Sequence, residues 1–187
     1  MIGNHGLLIL RSFCILYLSV FTPIAFPLTV QPRSFDELVQ RADTIVVATV
    51  TGLRGAWGAD KQTIYTFVML TDLDVLKGDV PAANFELRIP GGVVGDRAQL
   101  YPGMPIIQQG QRYVLFIRGQ QRDFFPLVGV YQGLYRVFSD EHNQQRVIRA
   151  DQHPGEITSG VKVEMPTLND FTTRIRTQLS SHQREAQ

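Results

Sequence analysis

The chain has 187 residues, of which 44% are apolar and 19% are charged. This is ordinary usage for a globular protein, and the length suits one domain with its own hydrophobic core. The formal net charge is +1, so the chain lacks the basic excess that a general nucleic-acid binder or anionic-membrane binder needs. We therefore expect no nucleic-acid partner.

The N-terminal 26 residues have the pattern of a secretory signal. Arg11 precedes an apolar run that ends at Pro23, and Ala25 offers a small residue for cleavage. We expect a signal peptide over residues 1–26, cleaved near Ala25, and a secreted or periplasmic protein. An uncleaved membrane anchor is the alternative, and the chain would then contact the membrane only through this leader. Pro23 argues against the anchor because it would interrupt the spanning helix.

The leader also holds the only cysteine of the chain, Cys14. The mature chain then has no disulfide and no thiol chemistry. The only charged side chain of the leader is Arg11, so the mature chain carries equal numbers of basic and acidic side chains. Export without cysteine is more typical of a bacterial cell envelope or exterior than of a small eukaryotic secreted domain.

A short helix opens the folded part. Ser34 and Glu37 form a capping-box pattern, which predicts a helix over residues 35–41. The glycines around Trp57 predict a loop over residues 52–58, and Thr71-Asp72 predicts a bulge or bend in one long strand. Runs of β-branched or alternating apolar residues predict the strands. The predicted strands cover residues 44–51, 63–77, 85–89, 112–118, 124–129, 134–138 and 146–149. The polar residues 140–145 predict a turn between the last two.

The C-terminal part predicts a second helix. Thr167 and Asp170 resemble a capping box, and Leu168, Phe171 and Ile175 follow at helical spacing. This helix should lay one apolar face on the sheet. We expect a single folded domain over residues 34–179, followed by a polar tail over residues 180–187.

The order of these elements resembles that of a known architecture. The matching segments are Ala42-Asp43-Thr44-Ile45-Val46-Val47, Val75-Leu76-Lys77-Gly78 and Gly110-Gln111-Arg112-Tyr113-Val114-Leu115-Phe116. They resemble netrin-like and metalloprotease-inhibitor (TIMP-like) modules, and more closely a group of uncharacterised exported bacterial proteins with this pattern. The resemblance covers about residues 35–118. It implies a mostly β fold, an OB-like or netrin-like β-barrel of five to seven strands with a short N-terminal helix and a C-terminal helix.

One departure from the inhibitors limits what the resemblance implies. Inhibitors of that kind use an N-terminal cysteine to reach the protease zinc, and the mature chain has none. The resemblance therefore implies the architecture and not the inhibitory mechanism.

The chain shows no recognisable catalytic or metal-binding pattern. His142, His153 and His182 lack the spacing of zinc ligands, so we expect no metal and no cofactor. Ser159 and Lys162 match S-x-x-K, but the rest of that signature is missing. Asp72 and Asp74 could form a catalytic carboxylate pair if their strand were regular. The simpler interpretation is that both are solvated on the outer face of a bent strand. A hydrolase whose site is assembled from distant positions stays open.

The long segment from Pro90 to Pro105 is the best candidate for a functional surface. Loops of this length inside a compact domain are uncommon and often functional. Arg97, Tyr101 and Met104 would supply cationic, aromatic and flexible contacts to a partner.

Tyr131 and Tyr135 belong to a stretch in which arginines and aromatic residues interleave. Such a stretch either stacks on bases or sugars or fills the interior of the fold. We expect a non-enzymatic binding module whose partner is an extracytoplasmic protein or a glycan. A protease inhibitor that acts without zinc chelation is a further alternative.

Overall fold

The fold is mostly β, with one helix before the sheet and one after it. The computed structural model describes residues 31–80, 85–101, 103–104, 106–119, 123–153, 157–158 and 161–185. The predicted signal peptide, residues 1–26, lies outside this range. The helices are α1 (Phe35–Arg41) and α2 (Leu168–Glu185). The strands are β1 (Thr44–Trp57), β2 (Ile64–Lys77), β3 (Phe85–Pro90), β4 (Gly92–Val94), β5 (Arg97–Gln99), β6 (Arg112–Ile117), β7 (Leu134–Ser139), β8 (Gln145–Arg149), β9 (Ile157–Thr158) and β10 (Val161–Lys162).

Six strands form one antiparallel sheet in the order β3-β2-β1-β6-β7-β8. The prediction of a closed barrel was wrong, because no ladder in the described part of the chain joins the edge strands β3 and β8. The resemblance implied that barrel. In the structure, Asp72 adopts a φ of 52°, and three register shifts interrupt the pairing of β1 with β2. The two long strands therefore bend together within an open sheet.

Each face of the sheet carries a cluster of buried side chains. On the helix face, Ile45, Val47, Val114 and Phe116 pack against side chains of α1 and α2. On the other face, which we call the loop face, a second cluster forms around alternate residues of the same strands. It contains Val46, Ala48, Val68, Leu87, Tyr113, Leu115 and Leu134, with Met104 and Ile107 of the β5–β6 connection packed against it. The helices thus cover one face and connecting segments cover the other.

Strand β1 continues through the segment that its glycines predicted to be a loop. A Cβ on Gly52 would lie 3.1 Å from Met69 Sδ, and one on Gly55 would overlap the carbonyl oxygen of Val93. These glycines therefore permit close approach of neighbouring segments instead of making a turn. The predicted strand over residues 124–129 is also wrong. Leu127 makes only an isolated bridge to Ile117, and Val130 adopts a φ of 65° in the turn that follows.

Helix α1 is held at both ends. Ser34 Oγ accepts from the Glu37 amide at 3.2 Å, and a Glu37 carboxylate oxygen accepts from the Ser34 amide at 2.9 Å, which confirms the capping box. At the other end, Lys77 Nζ donates to the carbonyl oxygens of Val39 at 2.8 Å and Gln40 at 3.0 Å. Burial lowers the pKa of Lys77. This lysine ties β2 to the carboxyl end of the helix.

Helix α2 packs on the sheet through Phe171 and Ile175 and extends to Glu185. The polar tail predicted from residue 180 is therefore helical up to residue 185. One reason is that its polar side chains bond within the helix and to α1: His182 Nδ1 lies 2.7 Å from the Gln178 carbonyl oxygen, and His182 Nε2 lies 2.6 Å from Gln40 Nε2. In the described part of the chain, no helix is both long enough and apolar enough to cross a bilayer.

The docking of α2 can be tested by truncating its buried face. Ile175 is fully buried, so we expect Ile175→Ala to lower the free energy of unfolding by about 2–5 kcal/mol through lost contacts and a cavity. Thr173 is exposed on the same helix, and Thr173→Ala is the matched control. Urea denaturation followed by circular dichroism measures both. Equal stability of the two variants would show that α2 does not pack on the sheet.

The β7–β8 turn is organised by Asp140. Its carboxylate accepts from the backbone amides of His142 and Gln144, each at 2.9 Å, and from Arg146 Nε at 2.8 Å. The Arg146 hydrogen bond, followed by that from the Gln144 amide, lowers the pKa of Asp140 to about 2. The turn predicted around this aspartate is confirmed.

This lowered pKa makes the turn sensitive to acid. The pKa of Asp140 is lower in the folded than in the unfolded chain, so its stabilisation is present above its ordinary pKa of 3.8 and is lost as pH falls towards 2. We expect Asp140→Asn to be less stable than wild type at pH 5, with the difference shrinking towards pH 2. Urea denaturation at several pH values checks this, with Glu141→Gln, exposed in the same turn, as the control. A difference independent of pH would contradict the prediction.

Candidate functional site

A mainly apolar opening lies on the loop face. A cavity of about 440 Å³, here called the apolar groove, separates strands β1–β3 from the β4–β5 hairpin and the segment that follows it. Its walls include Leu53, Val68, Ile89, Val93, Leu100 and Ile107. A volume of this size is typical of small-ligand sites, which are concave and mostly apolar.

The rim of the apolar groove leaves large apolar side chains in solvent. Leu100 and Ile106 are each 84% exposed, and Val93 is 60% exposed. Single exposed apolar residues are normal, but here three of them line one opening. Clustered exposure of this kind marks surfaces that contact another molecule.

The polar side chains beside the groove already have partners within the chain. Thr66 Oγ1 donates to the Gly91 carbonyl oxygen at 2.7 Å, and Gln99 Oε1 accepts from the Ile64 amide at 2.6 Å. These bonds hold the β4–β5 hairpin against β2. They also engage two of the polar side chains beside the groove, whose lining is mainly apolar.

Two consecutive glycines bring the hairpin to this position. Gly91 and Gly92 adopt φ values of 95° and 136°, and a Cβ on Gly92 would overlap Thr66 Oγ1. The segment after β3 was predicted to be irregular, but residues 92–99 form the β4–β5 hairpin. Its signal in the sequence is Gly95-Asp96 between two short strand-forming pairs, which is typical of a two-residue turn.

Tyr101 forms an aromatic wall at one side of the groove. Its ring lies 5.3 Å from Phe124 and 6.3 Å from Phe125, and these two phenylalanines lie 4.8 Å apart, all edge to face. Tyr65 joins Phe124 at 6.2 Å, and the Arg88 guanidinium lies 4.6 Å above the Tyr65 ring. The wall is therefore supported from behind by packed rings.

A second cavity, of about 390 Å³, lies on the other side of Met104. We call it the polar cavity because it is lined by Tyr113, Tyr131, Arg136, Asp151 and His153. Met104 and Ile106 line both spaces. The two cavities are thus neighbours across one short segment.

The groups of the polar cavity differ in how well they are paired. Tyr113 Oη accepts from the Gln108 amide at 3.1 Å, and burial raises the pKa of this phenol. Asp151 accepts from Arg149 Nε at 2.6 Å and Nη2 at 3.0 Å. Arg136 contrasts with both, because its Nε is buried and has no hydrogen-bond partner in the described structure.

The structure brings together three of the five residues that the sequence singled out. Tyr101 and Met104 line the apolar groove, and Met104 and Tyr131 line the polar cavity. Arg97 is exposed on β5, outside the lining of both. Tyr135 lies on the helix face, where its ring packs 4.8 Å from Phe171 and burial raises its pKa to about 12. Tyr135 is therefore separated from the other residues by the sheet.

The two most exposed apolar residues of the site were not predicted from the sequence. Leu100 and Ile106 flank Tyr101 and Met104, and apolar residues within a segment rich in glycine and proline were the available signal. No local pattern in the sequence indicates that Val68 on β2 lines the apolar groove or that Arg136 on β7 lines the polar cavity. Their positions depend on which strands pair and which residues share a face of the sheet.

The catalytic patterns considered from the sequence find little support. Among the described residues, no three His, Cys, Asp or Glu side chains group as metal ligands. Asp74 pairs with Arg176 at 3.7 Å, whereas Asp72 sits at the bend of β2. Ser159 lies outside the described residues.

Comparison of the chain with protein-family models, with curated proteins and with solved structures finds no match. The resemblance to netrin-like modules and to exported bacterial proteins therefore stays a prediction. The geometry of the two cavities is the basis for any functional proposal.

The role of Gly92 in placing the hairpin can be tested by substitution. We expect Gly92→Ala to lower the free energy of unfolding by more than about 1 kcal/mol, because its Cβ would overlap Thr66 Oγ1 at a strained φ. Gly95 also has a positive φ, but a Cβ there meets nothing within 4 Å, so Gly95→Ala is the matched control. Thermal and urea denaturation measure both. A larger loss of unfolding free energy in Gly95→Ala than in Gly92→Ala would contradict this account of the hairpin.

Proposed function

We propose that the chain is a non-enzymatic binding module that acts outside the cytoplasm and takes up an apolar ligand in the apolar groove. The observation that carries the proposal is the solvent exposure of Leu100, Ile106 and Val93 around one opening. Covering these side chains with a ligand would remove apolar surface from water, which favours binding by roughly 25 cal/mol per Å². The extracytoplasmic location rests on the leader predicted over residues 1–26.

The chemistry of the groove favours an apolar ligand over a glycan. A sugar needs many hydrogen bonds, whereas Thr66 Oγ1 and Gln99 Oε1 are engaged by the backbone. The aromatic wall at Tyr101 offers an apolar surface as well as a hydroxyl group. An apolar segment of a partner protein and a small apolar molecule both fit this description.

A hydrolase is the second candidate, because Asp151 and His153 both line the polar cavity. Two observations weaken it. The Asp151 carboxylate is held by two hydrogen bonds from Arg149, and no serine, threonine or cysteine occurs among the described residues that line the cavity. A nucleophile for covalent catalysis is thus not positioned by this lining.

Binding can be measured with an apolar fluorescent probe, N-phenyl-1-naphthylamine, whose emission rises in apolar surroundings. We expect the purified protein to bind the probe, and the double variant Leu100→Gln/Ile106→Gln to bind it about tenfold more weakly, because two apolar contacts are lost. Both side chains are exposed, so the substitutions should leave the fold intact.

Met69→Gln is the matched control, because Met69 is 49% exposed on β2 and does not line the groove. It should bind the probe as the wild type does. If the control and the double variant lose probe affinity equally, or if the wild type does not bind the probe, the groove is not the binding site. The hydrolase would instead be supported if the wild type hydrolyses generic ester or peptide substrates and Arg149→Gln changes the rate of that hydrolysis.

A further inference from the structure

Arg136 lines the polar cavity and has no counter-ion among the residues that the structure describes. It lies on β7, directly across from Tyr113 of β6, and both side chains line the polar cavity. In the described structure its Nε is shielded from solvent and unbonded, and the guanidinium takes part in no ion pair. A buried donor that lacks a partner is unfavourable and rare in native proteins. A carboxylate in the cavity would give the guanidinium the counter-ion that the described residues do not supply.

The other charged groups around Arg136 do not serve this purpose. The Asp151 carboxylate is engaged by both Arg149 Nε and Nη2. The cavity therefore presents an excess of positive charge at Arg136. Charge complementarity points to an anion, and a planar guanidinium matches a carboxylate particularly well.

Tyr113 adds a second donor beside the guanidinium. Its oxygen already accepts a hydrogen bond from the Gln108 amide, so the phenolic hydrogen is directed elsewhere. Burial raises the pKa of Tyr113, which keeps this group protonated. A hydroxyl group and a guanidinium on neighbouring strands form a site for the oxygens of one anion.

The polar cavity adjoins the apolar groove. Met104 and Ile106 line both, so a ligand seated in the groove can continue past Met104 towards Arg136. We infer that the ligand is a small amphiphilic carboxylate of the fatty-acid class, with its carboxylate at Arg136 and Tyr113 and its hydrocarbon chain in the apolar groove. This inference rests on the proposed function and adds the chemical class of the ligand.

A peptide fits this space less well than a hydrocarbon chain. A bound peptide must find partners for its own N–H and C=O groups. The groove's Thr66 hydroxyl and Gln99 carbonyl oxygen are already bonded to the chain's own backbone. A hydrocarbon chain makes no such demand.

The inference is tested with dodecanoate and dodecanol, which share a chain length and differ in charge, as competitors of N-phenyl-1-naphthylamine. We expect the wild-type protein to prefer dodecanoate by about tenfold, since charge-assisted hydrogen bonds are stronger than neutral ones. In Arg136→Gln this preference should disappear, while the affinity for dodecanol and for the probe is unchanged.

Arg112→Gln is the matched control. Arg112 Nε is also buried and has no hydrogen-bond partner among the described residues. Arg112 alternates with Val114 and Phe116, however, and therefore faces the helix side. It should keep the preference for dodecanoate. If Arg136→Gln proves unstable by thermal denaturation, Tyr113→Phe removes the second donor with little change in volume and should reduce the preference several-fold.

The outcomes separate the inference from the proposed function. Equal binding of dodecanoate and dodecanol by the wild type, or an unchanged preference in a folded Arg136→Gln, overturns the carboxylate site and leaves the apolar groove as a binding site. Displacement of the probe by an apolar hexapeptide but not by dodecanoate overturns the ligand class. Failure of the wild type to bind the probe removes both the groove and the inference.

Discussion

Strands β1 and β6 are buried on both faces, and the rest of the structure depends on this constraint. Ile45 and Val47 point to the helices, whereas Val46 and Ala48 point to the loop face, and β6 repeats the pattern with Val114 and Leu115. A strand buried on both faces needs cover on both sides. The chain provides it with two helices on one side and with connecting segments on the other.

The two kinds of cover differ in how completely they exclude water. A helix presents a continuous apolar stripe, and Phe171 and Ile175 of α2 are buried where they meet the sheet. The connecting segment presents apolar side chains singly, so Met104 and Ile107 pack inwards while Ile106 is left in solvent. The apolar groove exists because loops cover the sheet less completely than helices do.

The charged side chains of the fold also differ in how completely they are hydrogen-bonded. Lys77 has two carbonyl acceptors, and Asp140 is surrounded by three donors. These hydrogen bonds stabilise the fold. Those to Asp140 also lower its pKa, whereas the pKa of Lys77 is lowered by burial. Arg136 has no comparable set of acceptors in the described structure, and it sits beside the apolar groove. An unsatisfied cation next to exposed apolar surface is more informative about function than any single exposed residue.

The sequence by itself determined the local elements. The capping box at Ser34, the bend at Asp72 and the turn at Asp140 are confirmed because each depends on residues close in the chain. It also located part of the site, since Tyr101 and Met104 stand out within a single segment. Only the tertiary structure decided that the sheet is open, that β1 runs past Gly52, and that Tyr135 and Arg136 face opposite ways. Those outcomes depend on which distant strands pair and in which register, and a shift of one residue would exchange the two faces.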